Sequence, residues 1–369
     1  MNKKKTRLRI AQDKANAAVE KTNKCIEELG NHTRIISDGL NTLQGLFDNI
    51  RNVPNEDRIK CEELKKIRLE WNQQAEKIEK DYKAAYAKNA GNGAVAAGAG
   101  IAVAALGPTA AMGVATTFGV ASTGTAIAAL HGAAATNAAL AWLGGGALVA
   151  GGGGMAAGHA FLLLFGPVGW TISGVALLGT GLLILKNKED KKRLENIFTH
   201  ISNRDVTLYE LAMVEINERI IRIDKEVNDL VNAIEEVMSM GLDYNEMTEQ
   251  QQYQLGSYVN LMFSSTQLLV NPILGLKPKY SDEDFEDFMD TKEDKSDELF
   301  DERYKNLIIS IANLLYKVEM DKEDRKIFYK TIKRNKKFLE SLKLSKKDLP
   351  SNIIDFVCES LEYKYNNIK

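Results

Sequence analysis

Charge is missing from the middle of this chain. Between Asn89 and Leu185 there is no Asp, Glu, Lys or Arg, although charged residues make up 27% of the 369-residue sequence. Large apolar side chains are sparse over most of that interval as well; 22 of the 28 glycines fall inside it, accompanied by runs of alanine. Cysteine is scarce too. Cys25, Cys61 and Cys358 lie far apart and are odd in number, which argues against a disulfide framework or a zinc centre and suits reduced thiols.

The four histidines, at 32, 131, 159 and 200, have no Cys or Glu partner at ligand spacing. No Gly-x-x-x-x-Gly-Lys-Ser/Thr loop is present, which removes the common phosphate cradle. Gly91-Asn-Gly93-Ala-Val-Ala96 matches a loose dinucleotide fingerprint, but it follows a charged helix where that motif needs a β-strand. Asp282, Asp284, Glu286 and Glu293 have a spacing loosely like a calcium loop, but Asp287 stands where the sharp turn wants glycine. No catalytic residue, cofactor or metal is therefore expected, and the chain reads as a non-enzyme.

The overall charge of -2 hides a +5 arm over residues 1–90 and a -7 part over 186–369. Neither is the basic excess of a nucleic-acid binder, and no Arg/aromatic pattern of an RNA or DNA module accompanies them. Met1 to Ile10 resembles the basic part of a signal peptide, but no apolar stretch follows. The expectation is synthesis in the cytoplasm.

Outside the uncharged block the pattern is helical, with no β alternation of useful length. In residues 1–88, Ala15, Val19, Thr22, Ile26, Leu29, Thr33, Ile36, Leu40, Leu43, Phe47 and Ile50 step by alternating four and three, the spacing that keeps a stripe facing one partner helix. Pro54 stops that helix, and Glu56 and Asp57 favour the start of the next, with Leu64, Ile67, Trp71, Ile78 and Tyr82 inward. In residues 186–275 the heptad returns through Val206, Tyr209, Met213, Ile216, Ile220, Ile223, Val227, Leu230, Ile234 and Val237, ending at Gly241. Thr248 with Gln251 reads as a capping box opening a helix that stops before Pro272. Residues 276–303 read as an acidic solvated linker or helix start. Residues 304–369 form a last helical unit through Leu307, Ile311, Leu314 and Leu315, then 327–342 and 353–363.

A bilayer span needs about 20 predominantly apolar residues, so the 97 residues of 89–185 have room for as many as four. Breaks fall at Gly107-Pro108, His131-Gly132, Gly144 to Gly154 and Gly166-Pro167. Phe161 to Leu185 is the strongest span, with Phe161, Leu164, Phe165, Trp170, Leu177 and Leu182 among its apolar residues. Elsewhere Gly and Ala bury little area, but Gly146, Ala150, Gly154 and Gly158, and likewise Ala96, Gly100 and Ala104, form ladders at steps of four that let helix backbones approach closely. Lys83 and Lys88 on one side and Lys186, Lys188, Lys191, Lys192 and Arg193 on the other place both flanks on the cytoplasmic face. Two or four passes follow, with the flanking helices standing as an antiparallel pair. His131 and His159 read as loop or interface residues, the alternative being that their protonation hinders insertion or tunes a pore. Trp142 and Trp170 read as interface markers, and Trp71 as a seam residue.

Long heptad helices around an apolar hairpin resemble, in organisation, the cytolysin A class of α-helical pore-forming proteins. The stretch from Ser122 to Gly146, with Gly151 to Gly158 and Gly166-Pro167-Val168-Gly169 after it, looks like a glycine-zipper segment found in diverse bacterial proteins. The second likeness covers about residues 120–170 and implies membrane association. The expectation is an all-α protein with long antiparallel coiled-coil helices flanking a Gly/Ala-rich hairpin block and a C-terminal helical bundle. Its expected partners are a lipid bilayer, further copies of itself and, through the arms or C-terminal unit, a protein. It is expected at the inner membrane with both termini cytoplasmic, permeabilising or remodelling the bilayer as an effector, for example in bacterial defence. The alternatives are a membrane-anchored coiled-coil scaffold and a soluble helical protein with a buried apolar hairpin.

Overall fold

The computed structural model of the protein describes residues 6–90, 108–118, 185–276, 279–292, 302–335, 339 and 344–367. The described residues are helical throughout, with two short 3-10 turns and one isolated bridge. The helices are α1 (Arg7–Asp48), α2 (Asn55–Ala90), α3 (Pro108–Phe118), α4 (Lys188–Ser239), α5 (Glu249–Val270), α6 (Asp282–Asp290), α7 (Glu302–Leu315), α8 (Lys322–Arg334) and α9 (Ile353–Asn367). The expected all-α class holds among these residues.

Local signals set the ends of the helices. The Thr6 side chain accepts from the Arg9 N–H and opens α1, and Asn187 does the same for α4 through Glu189. Thr248 and Gln251 satisfy each other's orphan backbone N–H groups at the start of α5. Ser281 with Asp284 and Asp321 with Asp324 do so for α6 and α8. Gly241, just past the end of α4, has φ +85°, the left-handed conformation in which glycine carries no Cβ penalty.

The heptad of α1 is a core stripe. Ala15, Thr22, Ile26, Leu29, Thr33, Ile36, Leu40 and Leu43 are each fully buried. Two threonines are tolerated there because their hydroxyls donate back along the helix, Thr22 to Ala18 O and Thr33 to Gly30 O. On α4, Ile216, Ile220, Ile223 and Leu230 are buried, while Val227 and Ile234 are only partly covered. Ala212 and Ala233 are buried beside them. An α-helix drifts by about 20° per heptad against a strict 3.5-residue repeat, so the contact line leaves the seven-residue pattern.

The direction of pairing corrects one expectation. The stripe of α4 packs along α1, not along α2, and the two run parallel. His32 meets Asp224 192 positions on, and Asn52 meets Asp243 191 positions on, the constant offset of parallel helices. A parallel bridge of Arg51 with Asp243 pins the far end: Arg51 N donates to Leu242 O at 2.9 Å and Tyr244 N to Arg51 O at 3.0 Å. The turn at Pro54 sends α2 back alongside α1, where Lys65 reaches Asp48 and Arg68 reaches Gln44. The helices flanking the block, α2 and α4, therefore run in opposite directions, but α2 packs on α3 and α5. The first-arm stripe that matches α4 belongs to α1, which has the longer and more regular run of large apolar residues, and this is why α1 is chosen.

Helix α4 is a spine shared by two hydrophobic cores. From Tyr209 to Met240 it packs on α1 and α5 and shares one apolar cluster with α2 and α3. Nearer its start, Leu194, Ile197, Phe198 and Ile201 join Phe285, Leu307, Ile311, Phe328 and Val357 of the C-terminal helices. The acidic stretch is not wholly a linker: α6 lies within it and buries Phe285 and Phe288 in this second core, its carboxylates being the polar face of an amphipathic helix. Residues 293–301 of that stretch lie outside the described residues.

Candidate functional site

Helix α3, which lies within the uncharged block, is held inside the bundle. Pro108 begins the helix, as proline does at a first helical position where no N–H is needed. Ala111, Val114, Ala115, Thr116 and Thr117 are at most 1% exposed, enclosed by α1, α2 and α5. The contact with α1 is backbone on backbone. A Cβ added at Gly30 would lie 1.8 Å from Thr109 O, and one added at Gly113 would lie 2.0 Å from Ile26 O. Two glycines thus face each other across the crossing, and α3 runs antiparallel to α1. At its far end Thr117 O accepts from Ile273 N at 2.8 Å, and the Thr117 hydroxyl donates back to Gly113 O.

This docking was half legible beforehand. The Gly107-Pro108 break gives the helix start. The missed signal is Gly30, a lone glycine inside a long heptad helix; such a residue lowers helix stability by about 1 kcal/mol against alanine and so points to a close approach.

The docking is imperfect. Among the described residues the fully buried Thr116 hydroxyl has no hydrogen-bond partner, and the Trp71 indole N–H on α2 is likewise unpaired in the same core. A buried polar group left unmade costs about 1–3 kcal/mol.

A second polar feature sits nearby. Arg68 on α2 is 2% exposed, and its two hydrogen-bond partners are neutral: Nη2 donates to Gln44 Oε1 at 2.7 Å and Nη1 to Thr266 Oγ1 at 3.2 Å. Its Nε has no partner among the described residues. Burial lowers its pKa to about 10, so it stays cationic at neutral pH. The nearest support is relayed, since Gln44 donates to Asp48, which also takes Lys65. Because a desolvated charge without a carboxylate in contact opposes folding, Arg68→Met is expected to stabilise the protein by about 1–3 kcal/mol in urea unfolding. A loss of stability would mean that the two hydrogen bonds outweigh the desolvation.

Burial also raises the thiols of Cys61 and Cys358, to about 12 and about 11, so both are protonated and unreactive at neutral pH. Among the described residues no cluster of His, Cys, Asp or Glu could hold a metal ion. Asp284, one of the calcium-spaced carboxylates, is occupied by the Ser281 cap and Lys364. Trp71 is fully buried in the core beside α1. The ladders Gly146, Ala150, Gly154, Gly158 and Ala96, Gly100, Ala104, the span from Phe161 to Leu182, and His131, His159, Trp142 and Trp170 lie outside the described residues.

Among the described residues, one stretch, Glu249–Leu276, is long and apolar enough to cross a membrane, with a mean hydropathy of 1.2 and half of its window buried in the bundle. The core helix of a soluble protein has the same properties, and α5 is tied to α4 by Glu226, which accepts from Ser264 and Ser265, and by Glu236, which accepts from Gln254 and Tyr258.

Comparison with known proteins finds no match: no protein family, no curated protein and no solved structure is significantly similar to this chain.

Proposed function

We propose that the protein inserts into a bilayer and oligomerises to permeabilise or remodel it. The observation that carries this reading is a contrast within one chain: 97 residues without a formal charge issue from a bundle whose helices are charged and closely packed. The placement of the two roots of the block supports it. Thirty-six residues of α2 reach about 54 Å back along α1, and Leu185 joins the same apolar cluster as Leu8 at the start of α1. Both roots then sit at one end of the spine, as an even number of passes requires, with the basic flanks and both termini on the cytoplasmic side. Phe161, Leu164, Phe165, Trp170, Leu177 and Leu182 supply the anchoring span, and Gly146, Ala150, Gly154 and Gly158 the helix contacts between copies. The likeness in organisation to cytolysin A-type proteins agrees with this arrangement, and an effector acting on the membrane of its own cell suits a cytoplasmic chain.

The test is release of trapped dye from liposomes by the purified full-length chain. Release should rise steeply with protein concentration, and Gly154→Leu should reduce it by roughly tenfold at a fixed concentration because close helix packing is blocked. Binding without release would instead support a membrane-anchored scaffold that recruits a partner through its helical arms or C-terminal unit.

A second reading has its own support in the burial of α3: a soluble bundle that stores an apolar hairpin. It predicts full recovery without detergent and no release at any concentration.

A further inference from the structure

We infer that the crossing of α3 on α1 is a releasable latch, an autoinhibitory contact that holds the entry to the uncharged block against the bundle until the block engages lipid. The inference rests on the membrane-inserting reading and adds how insertion is restrained.

Three features carry it. First, α3 lies within the uncharged block, and it occupies a groove between α1, α2 and α5 that has no other occupant among the described residues. Second, its seat is specific: Gly30 and Gly113 permit an approach that any Cβ would forbid, and Ile273 N donates to the carbonyl of Thr117. Third, the docked face is built of small side chains, Ala111, Val114, Ala115, Thr116 and Thr117. Alanine and threonine bury less apolar area than the leucines and isoleucines of α1, and the Thr116 hydroxyl is buried without a partner among the described residues. Elements that move in function belong to the low-stability end of a fold.

Since Gly30 lies outside the block, altering it changes the restraint and not the inserting residues. Gly30→Ala should loosen the latch; Thr116→Val, which removes the orphan hydroxyl at nearly constant shape, should tighten it. The docked state is read directly with Ala111→Cys, a position 1% exposed, by maleimide labelling followed by peptide mass spectrometry, with far-UV circular dichroism confirming that each variant is folded. Labelling at position 111 should be about tenfold faster with Gly30→Ala and slower with Thr116→Val. In dye release from liposomes of phosphatidylethanolamine and phosphatidylglycerol, the concentration for half-release should fall severalfold with the first variant and rise with the second.

If labelling shifts in both directions while the half-release concentration stays fixed, α3 is not the restraint, although permeabilisation stands. If labelling does not change with either variant, the latch is wrong at its root. If the unaltered chain and Gly30→Ala both fail to release dye at every concentration, the membrane reading itself falls, whatever the labelling shows. Should Gly30→Ala not fold, Thr116→Val alone decides: slower labelling with a higher half-release concentration upholds the latch, and no change in either overturns it.

Discussion

Gly30→Ala is expected to lower the stability of the protein by about 2–3 kcal/mol, whereas the same change at Gly45, fifteen residues along the same helix, is expected to raise it by about 1 kcal/mol. The two positions share backbone conformation and helix, so intrinsic propensity favours alanine equally at both. They differ in what the new methyl meets. At Gly45 nothing lies within 4 Å, but at Gly30 the carbonyl oxygen of Thr109 would stand 1.8 Å away, with the Gly113 nitrogen at 3.0 Å. Backbone cannot turn aside as a side-chain tip does, so α3 must lift off α1 and surrender the burial of Ala111, Val114 and Ala115. Urea unfolding of both variants beside the parent protein checks this. Equal, small gains at both sites would mean that α3 does not rest on Gly30. Gly39 lies between these extremes, since its added Cβ would make an ordinary 3.5 Å contact with Leu230, and alanine there should be close to neutral.

Much of the fold could be read from the chain because the information was local. The four-three spacing of Ile26, Leu29, Ile36, Leu40 and Leu43 names the buried face of α1, and Thr248 with Gln251 names the start of α5 before any contact is known. Pairing could not be read in the same way. A heptad stripe says that a helix has a partner but not which one, and the stripes of α1 and α4 fit equally well parallel or antiparallel until the Arg51–Asp243 bridge and the two turns around it fix the register. The acidic stretch, read as a linker or a helix start, stayed ambiguous for a related reason. Twelve carboxylates between Ser281 and Arg303 drown the Phe285–Phe288 pair, whose three-residue spacing is the only sign that one face of α6 is buried. At the candidate site, composition reveals that the block is uncharged but not where it docks. Gly30 held that answer, and a single glycine becomes meaningful only when the backbone opposite it is known.

The second large effect is expected at Arg204, where a single guanidinium ties α4 to the end of α7. Its Nη1 donates to the carbonyls of Asn313, Leu314 and Tyr316, the last at 2.6 Å, and so caps the C-terminal end of α7, where helix carbonyls lack partners and the dipole favours a cation. Its Nε and Nη2 meanwhile donate to Asp205, whose side chain is fully buried, at 2.9 and 2.7 Å. Arg204→Met therefore removes the cap and also takes the arginine from a desolvated carboxylate, a combination that costs about 3–5 kcal/mol. Arg219 offers the internal comparison: it caps α5 through the carbonyls of Leu268 and Asn271 with no buried carboxylate behind it, so Arg219→Met should cost only about 1–2 kcal/mol. Hydrogen exchange distinguishes a local from a global effect. Arg204→Met should speed exchange across α6 to α9 while the amides of α1 and of α4 beyond Tyr209 keep their protection, because the core around α1 is built without any of the C-terminal helices. Uniform loss across both cores would mean that α4 transmits the damage along its length, and that the two cores unfold as one.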